Sequence, residues 1–482
     1  MVVSTTTIDH AAGPVARRAG RVNSSVNFKA RVTINILPDD VLLHIFRLSW
    51  RWDRLVHVCR RWRSIVFGSP TFLDLRLVCG PRTRVELTGI WPPLPIIIRD
   101  MANRPMPMGY NFTAIINNHR ARVCKIDLLH LTNSHLKRLA SAMKEQLPAL
   151  IHLMLDFHDD FHRPLVLSDG FLGGSAPRLQ TLSLRSIPFP SLPNLLMSAT
   201  DLVRLTLWNI PHSGYFSPDA IVTSLAVLTN LASLTIDFES PLSHLNRERR
   251  RPPPQTRTVL PALTRLGFKG ASEYLEYLVA FIESPRLESI WITLFYQLIF
   301  DIPQFSQFMA RTTMFQDLNE AHVFFDDSGV QVGSHPPKRT FSERSRLRIS
   351  CSKLNWQLSS AAQVVTTFFP SIYKLEHLYI YGPHYYPSLW GNNIENMEWL
   401  EIIRPFTAVK NFYVSEKFTQ CIAPALQELV KERVTEVLPA LERIFLENFN
   451  RQQGSVQNAI MQFIDARRLL GHHGTILQWD MK

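Results

Sequence analysis

Histidine and aspartate side chains cluster directly after an apolar segment, at Asp156, His158, Asp159, Asp160 and His162. Both residue types are common metal ligands, so the spacing is compatible with a metal site. The alternative is a solvated loop, because short polar runs that follow a strand usually face water. We favour the loop and predict no metal ligands in this chain.

Signatures of covalent catalysis are missing from the sequence, which contains no GxSxG, P-loop or HExxH motif. The cysteines are odd in number, widely spaced and never arranged as CxxC: Cys59, Cys79, Cys124, Cys351 and Cys421. This pattern indicates neither a zinc site nor a disulfide framework, and it fits a reducing compartment. We therefore expect a protein without catalytic residues and without a cofactor.

Aromatic and histidine side chains recur in the C-terminal half, beside the buried positions of a repeated segment: Trp291, His322, His377, Tyr379, Tyr381, Tyr413 and Phe445. Tyrosine and tryptophan offer large contact areas with few rotatable bonds, so we predict that these residues bind a protein target. Two alternatives stay open. A loop such as 326–344 covers this surface, or a one-residue shift of register buries the side chains.

The repeated segment has the pattern apolar-x-x-apolar-x-apolar, and successive copies start 23 to 34 residues apart. Copies start at Val123, Leu150, Leu179, Leu202, Leu231, Leu263, Leu287, Leu318, Leu375, Val409 and Leu441, with a partial copy ending at Leu347-Arg348-Ile349. The end of each copy alternates like a strand with one buried face. The intervening residues return the chain to the next parallel strand, and we predict return helices at Ala271–Ile282 and Pro424–Val434.

A different, helical periodicity occupies Ile36–Phe67. Pro38 suits the first turn of a helix, and Asp39 and Asp40 complement its positive end. Two mainly apolar stripes then follow helical spacing: Leu42, Ile45, Phe46 and Ser49, then Leu55, Val58, Cys59, Trp62 and Val66. Two such helices cannot bury their apolar sides alone, so they need a third helix, a following domain or a partner.

The order of Leu37-Pro38, the acidic pair, Ile45-Phe46 and Val58-Cys59-Arg60-Arg61-Trp62 resembles the F-box signature. The resemblance implies a three-helix element that binds the Skp adaptor of cullin–RING ubiquitin ligases. It assigns adaptor binding to Leu37, Pro38, Ile45, Phe46, Leu55, Val58, Cys59 and Trp62. One departure is that the stretch between Ile45-Phe46 and Val58-Cys59 is shorter than is usual in the family.

Together with this element, the IWPPLPIII segment and the closing ARRLLGHHG…LQWD segment resemble F-box proteins abundant in mushroom-forming fungi. We predict an α/β fold in which an N-terminal three-helix F-box precedes an irregular leucine-rich-repeat-like solenoid with a curved parallel sheet. The expected divisions are a basic tail at 1–33, the F-box at 34–70, a connector with an atypical first repeat at 71–120 and a target-binding domain at 121–482.

The chain carries a formal net charge of +12, and its basic residues are mostly dispersed. This charge permits nucleic acid as a partner, but no base-reading motif accompanies it, so we do not expect one. The longest apolar stretch, near Ile290–Phe300, is too short to cross a bilayer, and no membrane partner is expected. A mitochondrial presequence is conceivable in the Ser/Thr/Arg-rich start, but we expect a cytoplasmic or nuclear protein.

The resemblance implies a non-catalytic substrate receptor that joins the Skp adaptor, and through it a cullin–RING ligase, to an unknown protein substrate. The alternative is a repeat scaffold or nuclear regulator that uses its F-box for protein interaction outside a ligase.

Overall fold

The computed structural model describes residues 34–48, 52–70, 72–81, 83, 93–100, 111–158, 164–241, 257–315, 318–336, 345–351, 353–383, 396–430, 433–448 and 454–479. Its N-terminal module begins with a short 3₁₀ turn at Ile34–Ile36 and contains three helices: α1 (Asp39–Leu48), α2 (Trp52–Leu55) and α3 (Arg60–Gly68). The acidic pair opens α1 as the sequence predicts, next to the positive end of the helix.

Strands follow along the rest of the chain. They are β1 (Leu77–Cys79), β2 (Ile96–Asp100), β3 (Val123–Leu131), β4 (His152–Phe157), β5 (Thr181–Arg185), β6 (Arg204–Ile210), β7 (Ser233–Phe238), β8 (Thr258–Val259), β9 (Arg265–Gly270), β10 (Ile282–Glu283), β11 (Ser289–Phe295), β12 (Glu320–Asp326), β13 (Gly329–Gly333), β14 (Arg346–Ser350), β15 (His377–Tyr381), β16 (Asn411–Val414), β17 (Arg443–Glu447) and β18 (Thr475–Trp479).

Helices return the chain between most strands. They are α4 (Phe112–Asn118), α5 (Asn133–Ala142), α6 (Leu192–Leu196), α7 (Pro218–Leu225), α8 (Ser272–Phe281), α9 (Pro303–Arg311), α10 (Leu354–Phe368), α11 (Asn396–Ile403), α12 (Glu416–Glu428) and α13 (Gly454–Leu469). The helix predicted at 271–282 is present as α8. The one predicted at 424–434 begins and ends earlier, as α12, and contains Pro424 within it.

Sixteen strands of the described residues form one open sheet, and β8 and β10 form a separate pair. The order is β1-β2-β3-β4-β5-β6-β7-β9-β11-β14-β13-β12-β15-β16-β17-β18, with β1 and β18 at its edges. Every neighbouring pair is parallel except the two pairs that involve β13. The fold is therefore a mixed α/β repeat fold with a long, mainly parallel sheet and an N-terminal helical module.

Alternation of apolar residues gives this sheet its two faces. Leu153 in β4 pairs with Leu182 in β5, which pairs with Leu205 in β6, and all three are fully buried in one core shared with the helices. The first apolar residue of most repeats, such as Leu179, is also buried but lies just before its strand. The residues between the buried ones point to the opposite side of the sheet, which we call the open face.

The hairpin formed by β12 and β13 departs from the sequence prediction, which placed a polar loop at 326–344. Residues 329–333 instead form β13, which is inserted between β12 and β14. Gly329 allows this approach, because a Cβ atom there would lie 2.1 Å from the Ile349 carbonyl oxygen. On the other side of β14, Trp291 of β11 pairs with Arg346.

Candidate functional site

A tilted aromatic contact joins α1 to α3 in the N-terminal module. The Phe46 ring in α1 lies 4.7 Å from the Trp62 ring in α3, measured between ring centroids. Phe46 is 1% exposed and Trp62 9% exposed, so both side chains lie within the protein's own core. In this conformation they position the helices, and a partner would have to contact other side chains.

Arg61, which the sequence analysis did not single out, connects α3 to the start of α1. Its guanidinium donates to the Leu37 carbonyl oxygen at 2.6 Å and to Asp39 Oδ1 at 2.6 and 2.9 Å. At the beginning of α3, the Cys59 sulfur accepts a hydrogen bond from the Trp62 backbone N–H at 3.5 Å. These contacts fix the Leu37-Pro38 turn beside α3, although so exposed an ion pair adds little stability.

The outer side of the module is unusually apolar. Of the 21 large hydrophobic side chains that are exposed among the described residues, seven belong to this short segment: Ile34, Ile36, Val41, Ile45, Leu48, Val58 and Phe72. Helix α1 therefore has two apolar sides. Leu42 and Phe46 face inward, whereas Val41, Ile45 and Leu48 face outward at helical spacing. Contiguous exposed apolar side chains of this kind mark a surface for another protein.

Other predicted adaptor residues have intermediate positions. Ile45 and Val58 are exposed, Pro38 lies at the surface, and Leu37, Leu55 and Cys59 are half-buried. Ser49 and the residues up to 51 lie outside the described part of the chain. The structure thus divides the predicted adaptor-binding residues into a buried pair, Phe46 and Trp62, and a group that lies nearer the surface.

Residues 34–72 match the F-box-like family model. The chain therefore carries an F-box-like domain at its N-terminal module, which supports a role as a protein-interaction adaptor. Among solved structures, the chain is similar to the leucine-rich repeat-containing protein LegL7 from Legionella pneumophila, at 11% identity over 81% of this chain and 97% of that chain, with a TM-score of 0.23. No curated protein matches the chain.

On the open face, four rings form an aromatic ladder, which we define as His322, Tyr379, Tyr413 and Phe445. These residues pair in register across β12, β15, β16 and β17. Successive centroids are 4.3, 4.1 and 4.3 Å apart, and successive ring planes differ by 1°, 11° and 10°. Because the ring faces cover one another, the ladder offers a partner mainly ring edges and hydroxyl groups.

Polar groups surround the ladder. His322 Nδ1 lies 3.1 Å from the Tyr381 hydroxyl, and its Nε2 lies 3.5 Å from Glu320 Oε1. The hydrogen bond to His322 lowers the pKa of Glu320, against the opposing effect of burial. His322 and Tyr381 are only 6% and 5% exposed, so of the predicted target-binding residues these two support the surface from within. His377 stays half-buried beside Tyr413, with its Nδ1 3.5 Å from the Tyr413 hydroxyl.

Trp291 belongs to a second aromatic group, separated from the ladder by β13 and β14. Its indole stacks on that of Trp208, with centroids 5.3 Å apart and planes inclined by 15°. Gly267 makes room for it, since a Cβ atom at that position would lie 2.3 Å from Trp291 Nε1. The seven predicted target-binding residues therefore form two groups. The spacing of the repeats in the sequence does not reveal this division, because β13 is inserted into the sheet between the two groups.

The residues considered for metal binding are only partly described. His130 and His158 approach edge to face at 5.3 Å near Asp156, but no group of three candidate ligands occurs within the described ranges. Asp159, Asp160 and His162 lie outside those ranges.

The buried cysteines do not have the properties of nucleophiles. Burial raises the pKa of Cys79 and of Cys351 to about 11, which keeps both thiols protonated at neutral pH.

None of the described helices has the length and apolar character needed to span a membrane.

Proposed function

We propose that this protein is the substrate-recognition subunit of a Skp–cullin–F-box ubiquitin ligase. The observation that carries the proposal is the F-box-like match at 34–72, where the outward side chains of α1 are apolar and exposed. The Skp adaptor would contact this side through Ile45 and Val58, together with the Leu37-Pro38 turn that Arg61 holds in place.

F-box domains are typically non-catalytic adaptors, and the proposed role needs no chemistry from this chain. The module would hold the ligase at one end of the repeat sheet, while the open face would hold a protein target. Keeping a target lysine close to the transferring enzyme converts an encounter between free molecules into an effectively intramolecular reaction. The protein would act in the cytoplasm, the nucleus or both.

Adaptor capture tests the first part of the proposal. Full-length protein carrying Ile45→Asp and Val58→Asp is compared with the unaltered chain for its ability to retain purified Skp adaptor. Burying two carboxylates in an apolar contact costs several kcal/mol, so we expect retention to fall below detection. Since both side chains are exposed, the protein itself should stay folded.

Matched controls are available elsewhere on the surface. Leu165 is as exposed as Ile45, at 39%, and Val259 at 51% is close to Val58 at 57%. Leu165→Asp with Val259→Asp should retain the adaptor. Equal retention by both double variants would show that the module is not the adaptor site.

Degradation of a captured target tests the second part. If the protein acts in a ligase, the target's half-life should lengthen when the Ile45→Asp/Val58→Asp chain replaces the unaltered one, and a proteasome inhibitor should remove the difference. If neither the double substitution nor the proteasome inhibitor alters the target's half-life, the scaffold role is favoured instead.

A further inference from the structure

Charge is unevenly distributed over the open face. Six adjacent strands, β5, β6, β7, β9, β11 and β14, present one carboxylate and six cations on that face. The carboxylate is Asp237, and the cations are Arg185, Arg204, Arg265, Lys269, Arg346 and Arg348. Such a density of like charge repels itself and attracts an anionic partner.

Ion pairs neutralise Lys269 and Arg348 among these cations. Lys269 Nζ lies 3.2 Å from Asp237 Oδ1, and Arg348 Nη1 lies 2.8 Å from Asp326 Oδ2. Arg185, Arg204 and Arg265 are exposed and have neither an ion pair nor a side-chain hydrogen bond to another described residue.

Arg346 is half-buried, and its surroundings disfavour its charge. Burial and the neighbouring charge of Arg348 both lower the pKa of Arg346. An anion bound nearby would offset this repulsion.

The middle of the charged area is apolar. Trp208 and Trp291 stack there, and both are half-buried, so part of the indole surface remains accessible. Stacked tryptophans framed by arginines suit a ligand that combines negative charge with an aromatic or large apolar group.

The neighbouring strands limit the length of such a ligand. Towards the N-terminal edge, Asp127 takes up the charges of Lys125 and Arg99 at 3.4 and 3.5 Å. Towards the other edge, the open face carries the carboxylates of Glu320 and Glu447. A long phosphodiester chain would meet these carboxylates, whereas a short acidic segment fits between them.

We propose that this surface, the basic tract formed by Arg185, Arg204, Arg265 and Arg346 around Trp208 and Trp291, binds an extended acidic peptide segment of the target. Arg204 and Arg265 are two strands apart, or about 10 Å at the usual strand spacing. A peptide in the extended polyproline II conformation advances about 3.1 Å per residue and completes a turn in about three residues, so carboxylates about three residues apart lie on one side of it and match them. The inference rests on the proposed function, because it names the class of target that the open face selects.

Peptide binding to the full chain tests the inference. The probe is a fluorescently labelled synthetic peptide in which Glu-Ser-Phe-Glu is flanked by glycines, and the matched peptide has Gln-Ser-Phe-Gln. Fluorescence anisotropy should show binding of the glutamate peptide that weakens as salt is raised, and about tenfold weaker binding of the glutamine peptide.

Two pairs of charge reversals locate the site. Arg204→Glu with Arg265→Glu should weaken the glutamate peptide about tenfold or more. Lys137→Glu with Lys144→Glu makes the same change in net charge on and just after α5, whose buried residues face the helix side of the core, and should leave binding within about twofold. Trp208→Ala should also weaken binding, while circular dichroism and adaptor retention show that each variant is folded.

Equal losses in both pairs, or equal binding of the two peptides, would overturn the inference. So would tighter binding of single-stranded oligothymidine than of the glutamate peptide, since the tract would then be a nucleic-acid surface. The ligase role has a separate readout. If peptide binding behaves as expected while adaptor capture fails, the proposed function falls and the basic tract stands. If adaptor capture succeeds while peptide binding fails, only the basic tract is rejected.

Discussion

Replacing Arg467 with methionine should loosen the C-terminal end of the repeat sheet. Arg467, in α13, is fully buried, and its guanidinium donates to the backbone carbonyl oxygens of Val434, Pro439 and Leu441 at 3.3, 3.0 and 3.3 Å. These carbonyls belong to the turn before β17. In that turn Leu438 adopts a left-handed backbone conformation with φ of 51°, which is unfavourable for leucine. One side chain thus fixes a strained connection between two repeats.

The cost can be worked out from these contacts. Burial lowers the pKa of Arg467, so the charged form is already disfavoured by lost hydration, and methionine recovers that part. Two buried carbonyls and one half-buried carbonyl then lose their donor, each at roughly 1 kcal/mol or more. We expect a net loss of about 3 kcal/mol in local stability, or about a hundredfold in the opening equilibrium.

Amide hydrogen exchange measures this loss where it occurs. Protection in residues 433–448 and 454–479 should fall about a hundredfold in Arg467→Met, with smaller effects towards β1. Arg468→Met is the matched control, because Arg468 is half-exposed and its bonds to the Gly474 carbonyl oxygen are only partly buried. If both variants exchange alike, the buried guanidinium is not what secures this turn.

Two further changes test other parts of the sheet. Gly267→Ala should lower the free energy of unfolding by about 1–3 kcal/mol in chemical denaturation, because the new methyl group meets the Trp291 indole. Gly454→Ala is the control, since its methyl group would meet no atom within 4 Å and should leave the stability unchanged. Burial alone raises the pKa of Asp326, but its hydrogen bonds to Arg348 lower that pKa overall. The stability that this pair contributes is therefore present at neutral pH and is lost as the pH falls through the lowered pKa. Asp326→Asn should flatten this acid dependence when unfolding is followed across the acidic pH range.

The sequence located most strands because their apolar positions repeat. Every predicted copy of the pattern ends in a strand, and the first apolar residue of most copies packs just before it, as Leu179 does before β5. This works because each repeat buries the same positions against its neighbours. The end of the IWPPLPIII segment, in the predicted connector, forms β2, which pairs with β1 and β3.

The sequence could not predict β13 or the side on which α1 packs. Gly329–Gly333 begins and ends with glycine, which is unfavourable in strands. The close approach of Gly329 to the Ile349 carbonyl oxygen and of Gly333 to the Ser345 carbonyl oxygen explains both glycines. In α1, Ile45 and Phe46 are adjacent and equally apolar, so periodicity alone placed them on one stripe. Packing against Trp62 decides that Phe46 faces inward and Ile45 outward.

The open, mainly parallel sheet also sets a fixed distance between the F-box-like module and the basic tract. Seven inter-strand steps of about 4.8 Å separate β1, next to the F-box-like module, from β9 in the basic tract, or about 34 Å along the sheet. A target anchored by an acidic segment over β9 would therefore lie at a fixed offset from the ligase. Lysines would be selected by their distance from that segment, and adding or deleting one repeat would move the preferred lysine along the target.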